Sequence, residues 1–220
     1  MREAIRASQA DVVFLQEVLG DHQGHAKRVL SWPGPQLEFL ADRVWNYAAY
    51  GKNAVYSDGH HGNAILSKFP IRSWENINIS NHRFESRGLL HAEIDVPSGP
   101  IHLLNVHLDL TGIGRKRQFH RIATRIQSAI PDSAPLILAG DFNDWSVEAS
   151  QVFEDDLALI EAHKTVHGTH AKTFPSMWPF LKLDRVYVRG FKPLSARTLA
   201  GEPWSNLSDH CAIETLLEPR

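Results

Sequence analysis

Acidic, amide and imidazole side chains stand where several apolar runs of the sequence begin or end. The runs VVFLQE, LLNVHL and LILAGDFN and the segment SDHCAIETL carry Glu17, His107, Asp141, Asn143, Asp209 and His210. A carboxylate beside a buried strand is partly desolvated, which is unfavourable unless hydrogen bonds or a cation compensate it. If several such ends converge they form a negative site, and Mg²⁺ is the natural partner of oxygen ligands.

These residue types suit the hydrolysis of a phosphate ester. Attack by water needs in-line positioning, charge neutralisation and control of a proton, and enzymatic accelerations of such reactions approach ~10²¹-fold. No single side chain supplies all three, so we expect several to act together. A single acidic residue at a strand end is weak evidence for an active site, and we interpret Asp109 as a cap or turn former.

The same residues carry a resemblance to a known family. In chain order, the motifs are LQEV, GNAILS, NVHL, GDFN, LDRVYV and SDH. With them the chain resembles the endonuclease/exonuclease/phosphatase superfamily, and within it the bacterial YbhP-like branch, over essentially its whole length. The resemblance implies an α/β (α+β) fold, a deoxyribonuclease-like four-layer sandwich of two mixed β-sheets flanked by helices, in one domain over residues 1–220.

The resemblance also implies roles around a metal ion. Glu17 is implied to be a metal ligand and Asp209 a metal-associated carboxylate, with Mg²⁺ as the cofactor and Mn²⁺ as its substitute. Asp141 is implied to orient or deprotonate the attacking water. Asn143 is implied to hold the phosphate and the neighbouring polar groups.

Two histidines and a third aspartate complete the implied catalytic set. His210 is implied to contact a phosphoryl oxygen while paired with Asp184. Such a carboxylate fixes the tautomer of the imidazole and favours the imidazolium, which stabilises developing negative charge. His107 is implied to donate a hydrogen bond or a proton on the other side of the phosphate.

One family feature lies outside the sequence. Family members begin with an apolar strand that carries an asparagine of the site, whereas this sequence begins at Met1 inside what resembles the first helix. Loss of a core strand would expose apolar surface and unpaired backbone groups. We therefore expect an N-terminal truncation or a start assigned too late, rather than a protein that tolerates a missing first strand.

Four further residues are predicted to contact the substrate, and each has a structural alternative. Asn63 is a wall of the site or a turn residue, and Arg87 faces a phosphate or lies on a hairpin surface. Arg117 begins an i, i+4 arginine stripe that contacts a polyanion or only solvent. Trp178 lies in the apolar loop TFPSMWPFL, which lines the site, touches a membrane or packs against the domain.

Other polar features favour structural roles. The spacing of His163, His167 and His170 could hold zinc on a helix, but Gly168 weakens the helix there and no carboxylate supports the site. We therefore favour no metal at these histidines. Cys211 is expected to be a small core residue rather than a nucleophile.

Periodicity and turn residues predict a mixture of helices and strands. An amphipathic helix is expected to bury Phe119, Ile122, Ile126 and Ile130. Other helices are expected at residues 2–9 and near 147–155. Strands are expected at residues 12–16, 44–49, 63–67, 88–96, 101–108, 135–140, 183–188 and 211–217.

Composition narrows the class of protein. A net charge of -2 and a pI near 6.7 provide no global field that collects nucleic acid or anionic lipid. The apolar runs are far shorter than the roughly 20 residues that cross a bilayer, and no secretory signal is seen. We therefore expect a cytoplasmic protein without an integral membrane segment, and the single cysteine excludes an internal disulfide.

The function predicted from these observations is Mg²⁺-dependent hydrolysis of a phosphate ester, with a phosphodiester as the favoured substrate. The substrate would be a lipid head group or a small phosphorylated molecule. A nuclease that acts on DNA or RNA is one alternative, and a catalytically inactive binding module on the same fold is another. No protein partner is inferred.

Overall fold

The computed structural model describes residues 1–22, 34–41, 44–82 and 85–220. Within these ranges the chain divides into two compact units, Met1–His107 and Leu108–Arg220, which we call unit 1 and unit 2. The single domain expected from the sequence stays a prediction. In the described part of the chain, no helix combines the length and apolar character needed to span a bilayer.

In its described residues, unit 1 contains two antiparallel sheets and two short helices. The helices are α1 (Arg2–Ala7) and α2 (Gln36–Ala41). One sheet has the order β1-β3-β2, formed by β1 (Val12–His22), β2 (Tyr47–Tyr56) and β3 (Gly59–Ser67). The other joins β4 (Ile71–Asn78), β5 (Gly88–Val96) and β6 (Gly99–His107) as consecutive neighbours.

The two sheets of unit 1 pack against each other through apolar side chains and two buried amides. Ile65, Leu90 and Leu103 are fully buried between them. Asn63 of β3 donates to the carbonyl of Gly88, and Asn105 of β6 donates to the carbonyls of Leu15 and Ala64. These hydrogen bonds satisfy buried polar groups and hold the two sheets in one register.

Unit 2 begins with a long helix and alternates short strands with turns. Its elements are α3 (Gly112–Ala129), β7 (Leu136–Asp141), a π-helical turn (Gln151–Asp156), β8 (Ile160–Glu161), α4 (Ala162–His167), β9 (Asp184–Arg189), β10 (Phe191–Leu199), a 3₁₀ turn (Trp204–Asn206) and β11 (Ala212–Pro219). β9 lies between β7 and β8, and β10 pairs with β11. All of these pairings are antiparallel.

Aromatic rings fill the core of unit 2. Helix α3 starts after Thr111, whose hydroxyl accepts a hydrogen bond from the Gly114 amide, and buries an apolar face that includes Phe119. Phe153 of the π-helical turn contacts Phe119 and Phe142 edge to face. Tyr187 of β9 closes the cluster against Phe142 at a centroid distance of 5.4 Å.

Several predicted elements are confirmed, and others differ for identifiable reasons. The hairpin of β5 and β6, helix α3 and strand β7 follow the expected bounds closely. Strand β1 continues past Glu17 to His22, so the prediction that the run ends at Glu17 is wrong. The helix expected near 147–155 is a π-helical turn. The sequence did not predict β4, β8, α4 and β10, because their apolar residues show no clear periodicity.

Candidate active site

In unit 2, two aspartates meet where neighbouring strands begin and end. Asp141 is the last residue of β7 and pairs in register with Asp184, the first residue of β9. His210 lies just before β11, and its Nδ1 atom is 2.8 Å from Asp184 Oδ2. Its Nε2 atom is 4.0 Å from Asp141 Oδ2. The imidazole therefore lies between two carboxylates that the β7–β9 pairing brings together.

The surroundings of His210 favour its charged form. Burial lowers the pKa of the imidazole, but the hydrogen bond and charge of Asp184, with the charges of Asp141 and Asp209, outweigh it. The net effect raises the pKa of His210 to about 9. Because Nδ1 donates to Asp184, Nε2 is the nitrogen left to donate to a ligand.

The loop before β9 holds His210 in place, which the sequence did not predict. The ring of Phe174 lies 4.9 Å from the His210 ring, and the amide of Cys211 donates to the carbonyl of Thr173. The hydroxyl of Ser176 donates to the carbonyl of Ser208. The only sequence signal was the presence of Thr and Ser in an otherwise apolar loop.

Among the described residues, one group of side chains could hold a metal ion. Asp141, Asp184 and His210 each offer an atom, and these atoms lie within 4.8 Å of one another. The carboxylate oxygens suit a hard divalent cation, whereas a protonated imidazole cannot be a ligand. The short His210–Asp184 hydrogen bond therefore fits a proton-donating pair, and Asp141 is the carboxylate of this group best placed to serve a cation.

The backbone at Asn143 explains why an asparagine stands there. Its φ is 49°, in the left-handed region that asparagine tolerates better than most residues. The amide N–H donates to Asp141 Oδ1 over 2.8 Å, and the side-chain Nδ2 donates to the carbonyl of Leu108. Asn143 thus orients Asp141 while its own side chain is buried.

In unit 1, Glu17 lies at a β-bulge. Leu15 pairs with Ala64 and Val18 with Gly62, so two residues of β1 oppose one residue of β3. Glu17 has φ 55° at this point. A bulge with a left-handed residue turns its side chain out of the regular alternation. The Glu17 carboxylate is 70% exposed, and its Oε1 lies 3.8 Å from His107 Nδ1 at the end of β6.

The predicted substrate residues occupy different environments. Asn63 is 1% exposed and links the two sheets of unit 1, so the turn alternative is wrong. Arg87 lines a cavity of unit 1 beside the start of β5. Arg117 is exposed on α3, and Asp209 is exposed beside His210. Trp178 is 81% exposed, so the alternative that its side chain packs against the domain is wrong.

The residues expected to be structural have buried or paired environments. Cys211 is 2% exposed, as predicted. Asp109 Oδ1 accepts from the Thr111 amide, which confirms its role as a turn former. His163 and His167 contact the carbonyls of Thr169 and Ala196, and they are not part of the metal-binding group found among the described residues.

Comparison with known proteins assigns the family. A sequence model of the Endonuclease/Exonuclease/phosphatase family matches residues 1–210. The uncharacterised protein YbhP of Escherichia coli K12 is 41% identical over 216 residues, which cover 97% of this chain and 85% of that protein. The chain belongs to the endonuclease/exonuclease/phosphatase family. Members of this family are hydrolases that act on phosphate esters, and the YbhP-like resemblance is confirmed.

Solved structures of endonuclease/exonuclease/phosphatase proteins share the fold. A protein of Beutenbergia cavernae superposes with a TM-score of 0.77 at 19% identity; the alignment covers 99% of this chain and 65% of that protein. TDP2 of D. rerio, complexed with a single-strand DNA product, superposes with a TM-score of 0.70 at 19% identity; the alignment covers 98% of this chain and 89% of TDP2. A mannosyl-6-phosphatase of Bacteroides thetaiotaomicron superposes with a TM-score of 0.72 at 16% identity; the alignment covers 99% of this chain and 88% of that protein. The predicted α/β fold class is confirmed.

Proposed function

We propose that the protein is a divalent-metal-dependent phosphoesterase that cleaves a phosphodiester by direct attack of an activated water. The observation that carries the proposal is the hydrogen bond of 2.8 Å between His210 Nδ1 and Asp184 Oδ2, with Asp141 facing the other ring nitrogen. A positioned imidazolium stabilises the charge that develops on a phosphoryl oxygen.

The proposed reaction uses the groups of unit 2 in separate roles. Asp141 accepts the proton of the attacking water as the new P–O bond forms. The P–O bond to the alcohol breaks, and the leaving oxygen takes up a proton from solvent water. His210 Nε2 donates a hydrogen bond to the phosphoryl oxygen, while Asp184 keeps the ring charged and oriented.

The roles of the metal and of His107 are proposed from the family motifs. Glu17 and Asp209 are proposed as metal-binding carboxylates, with Mg²⁺ as the cation and Mn²⁺ as its substitute. The cation would neutralise charge on the phosphate. His107 is proposed as a further hydrogen-bond or proton donor, a role consistent with its position beside the exposed Glu17 carboxylate.

Hydrolysis of bis-p-nitrophenyl phosphate tests the proposal. We expect turnover with Mg²⁺ or Mn²⁺, loss of turnover in EDTA, and a fall in kcat of about 10²- to 10⁴-fold in His210→Ala. His120→Ala, on the exposed face of α3, is the matched control and should keep the wild-type rate. Absence of metal-dependent turnover in the wild type, together with absence of plasmid nicking, would favour a binding module instead.

Nuclease activity is the second candidate, supported by one surface feature. Arg117 and Arg121 are exposed one turn apart on α3 and could contact a polyanion. The net charge of -2 supplies no general attraction for nucleic acid. Nicking of a plasmid that weakens steeply with salt, without turnover of small diesters, would favour the nuclease.

A further inference from the structure

Unit 1 contains a polar cavity of about 500 Å³. It lies between the second half of β2, the end of β4 and the turn that leads into β5. The side chains that matter for its chemistry are Lys52, Asn53, Asn76, Asn78, Asn81 and Arg87. The cavity combines two cationic residues with four side-chain amides.

The walls of the cavity are held by hydrogen bonds within unit 1. Asn76 Nδ2 donates to the carbonyl of Lys52 and to Asn53 Oδ1, which joins β4 to β2 across the two sheets. In the turn, the Arg87 amide donates to Ser80 Oγ, and that hydroxyl donates back to the Arg87 carbonyl. These contacts fix the amides before any ligand arrives, which lowers the entropic cost of binding.

Two glycines create the space in which the amides lie. A Cβ atom at Gly51 would collide with Asn76 Oδ1, and a Cβ atom at Gly88 would collide with Asn53 Oδ1. Asn53 itself lies at a register shift of β2, between the pairs that Lys52 and Ala54 make with β3. The absence of side chains at both glycines and the irregularity of β2 turn an ordinary sheet edge into a concave polar surface.

Lys52 and Arg87 form no ion pair with any residue that the structure describes. Within the described ranges, neither the Lys52 ammonium nor the Arg87 guanidinium forms a side-chain hydrogen bond. The acid of the lining, Glu85, accepts a hydrogen bond from the Asn81 amide. Uncommitted cations at a preformed concave surface favour an anionic ligand.

The remaining chemistry of the lining favours hydroxyl groups over bases. Side-chain amides present both donors and acceptors, which matches alcohol groups that do the same. None of the described residues that line the cavity is Phe, Tyr or Trp, the largest side chains on which nucleobases stack, and its planar groups are those of His82 and Arg87 and the amides. The lining therefore suits a sugar or polyol better than a nucleotide.

Part of the cavity lining lies at the end of unit 1 that carries His107. Leu89 pairs with Val106 and Gly88 pairs with Asn78, so Arg87, Asn78 and His107 lie at the same edge of one sheet. A ligand in the cavity would therefore lie beside a residue of the proposed phosphoesterase site.

We propose that this cavity binds the hydroxyl-rich part of a polyol or sugar phosphate ester, with Lys52 and Arg87 on its anionic group and the asparagines on its hydroxyls. The inference rests on the proposed phosphoesterase function and names the substrate class of that site. Free polyol phosphates and polyol head groups of lipids share this chemistry.

Binding without turnover tests the cavity separately from catalysis. Glycerophosphoinositol is titrated calorimetrically into the wild type and into Lys52→Met and Arg87→Met, all in EDTA. We expect saturable binding by the wild type that weakens about tenfold or more in each variant, the loss expected for one charge-assisted hydrogen bond. Lys192→Met removes an exposed cation of β10 as the matched control and should bind like the wild type. Absent wild-type binding, or equal affinity in all four proteins, would overturn the inference.

Turnover then distinguishes a failure of the cavity from a failure of the reaction. With Mg²⁺, we expect kcat/KM for glycerophosphoinositol relative to bis-p-nitrophenyl phosphate to fall at least tenfold in Arg87→Met. An unchanged ratio overturns the cavity even if both diesters are hydrolysed. If neither diester is hydrolysed but binding in EDTA depends on Arg87, the proposed reaction fails and the polyol site stands.

The same assay identifies the source of the polyol. Preference for phosphatidylinositol in mixed micelles over glycerophosphoinositol indicates a lipid head group, and the reverse indicates a free metabolite. Either result supports the polyol class. Preference for a single-stranded oligonucleotide over both, unaffected by Arg87→Met, contradicts it.

Discussion

Unit 2 contains two carboxylate–imidazole pairs with the same chemistry and different surroundings. In the first, Asp184 and His210 are partly exposed, at 16% and 24% of their side chains, and are joined over 2.8 Å. In the second, Glu161 and His170 are buried, at 1% and 5%, and are joined over 3.2 Å. The pairing alone therefore does not define an active site.

The difference lies in what faces the second nitrogen of each ring. His210 Nε2 faces Asp141 across 4.0 Å and remains available to a ligand. His170 Nε2 is 3.3 Å from the hydroxyl of Ser150, so both of its nitrogens have protein partners. Glu161 also accepts from the amides of His163 and Lys164 and thereby caps α4. The first pair can act on a substrate, whereas the second ties together three parts of unit 2.

The largest expected effect comes from removing the charge of Asp184. In Asp184→Asn we expect kcat for bis-p-nitrophenyl phosphate to fall about 10²- to 10⁴-fold, because His210 loses the partner that keeps it charged. The pKa of His210, measured by NMR without metal, should fall from about 9 towards or below its ordinary value. A reduced kcat with an unchanged His210 pKa would show that Asp184 acts in another way.

The pKa of His210 also predicts how this pair contributes to stability. Because the folded-state pKa is raised above 6.5, the contribution is fully present below that pH and is lost as the pH rises through about 9. The stability of Asp184→Asn should therefore vary less between these values than that of the wild type. Chemical denaturation at several pH values measures this difference.

The family motifs predicted the exposed pair, whereas no motif and no local pattern predicted the buried one. Asp141 and Asp184 border apolar runs, and the period of those runs predicts where β7 ends and β9 begins. Glu161 ends a two-residue strand and caps a six-residue helix, and His170 lies in the loop after that helix, so the sequence around them has almost no periodicity. Their contact depends on tertiary packing, which a local window does not contain.

Glu17 shows the same limit in unit 1. Its motif identified the residue, but its place in the middle of β1 depends on a bulge against β3. A bulge is defined by the register of two strands that are distant in sequence. The cavity near Arg87 was missed for a related reason, because Gly51, Gly88 and Asn76 come from three different strands.

Breaking the buried pair should affect stability rather than catalysis. In Glu161→Ala we expect the free energy of unfolding to fall by about 3–5 kcal/mol, because His170 and the first amides of α4 lose a buried acceptor. The rate per folded molecule should be retained. Glu214→Ala is the control, since its exposed ion pair with Arg197 should contribute no more than about 1 kcal/mol. A similar loss in both variants would remove the distinction between buried and exposed pairs.

The buried pair should also contribute to acid sensitivity. Burial raises the pKa of Glu161, but hydrogen bonds from His170 and the Lys164 amide, with the charges of His170 and Arg185, lower it below 4.5 overall. Its contribution is therefore present above that pH and is lost as the pH falls through the folded-state pKa. Glu161→Gln should show a flatter decline in stability than the wild type below pH 4.5, measured by urea unfolding. A parallel decline would assign the acid sensitivity to other carboxyls.

The smallest expected effect tests whether the buried pair has a chemical role of its own. Ser150, His170 and Glu161 are ordered like a nucleophile, its base and a supporting acid, with 3.3 Å between Ser150 Oγ and His170 Nε2. A nucleophilic serine must also be open to substrate, whereas this histidine is 5% exposed in a cluster that caps a helix. We expect Ser150→Ala to lower the free energy of unfolding by only about 0.5–1.5 kcal/mol, the net contribution of one hydrogen bond.

We also expect no labelling of wild-type Ser150 by a fluorophosphonate, measured by peptide mass spectrometry. Covalent labelling at Ser150 would mean that His170 is reactive as well as His210. The burial of His170 would then not distinguish a structural pair from a catalytic one.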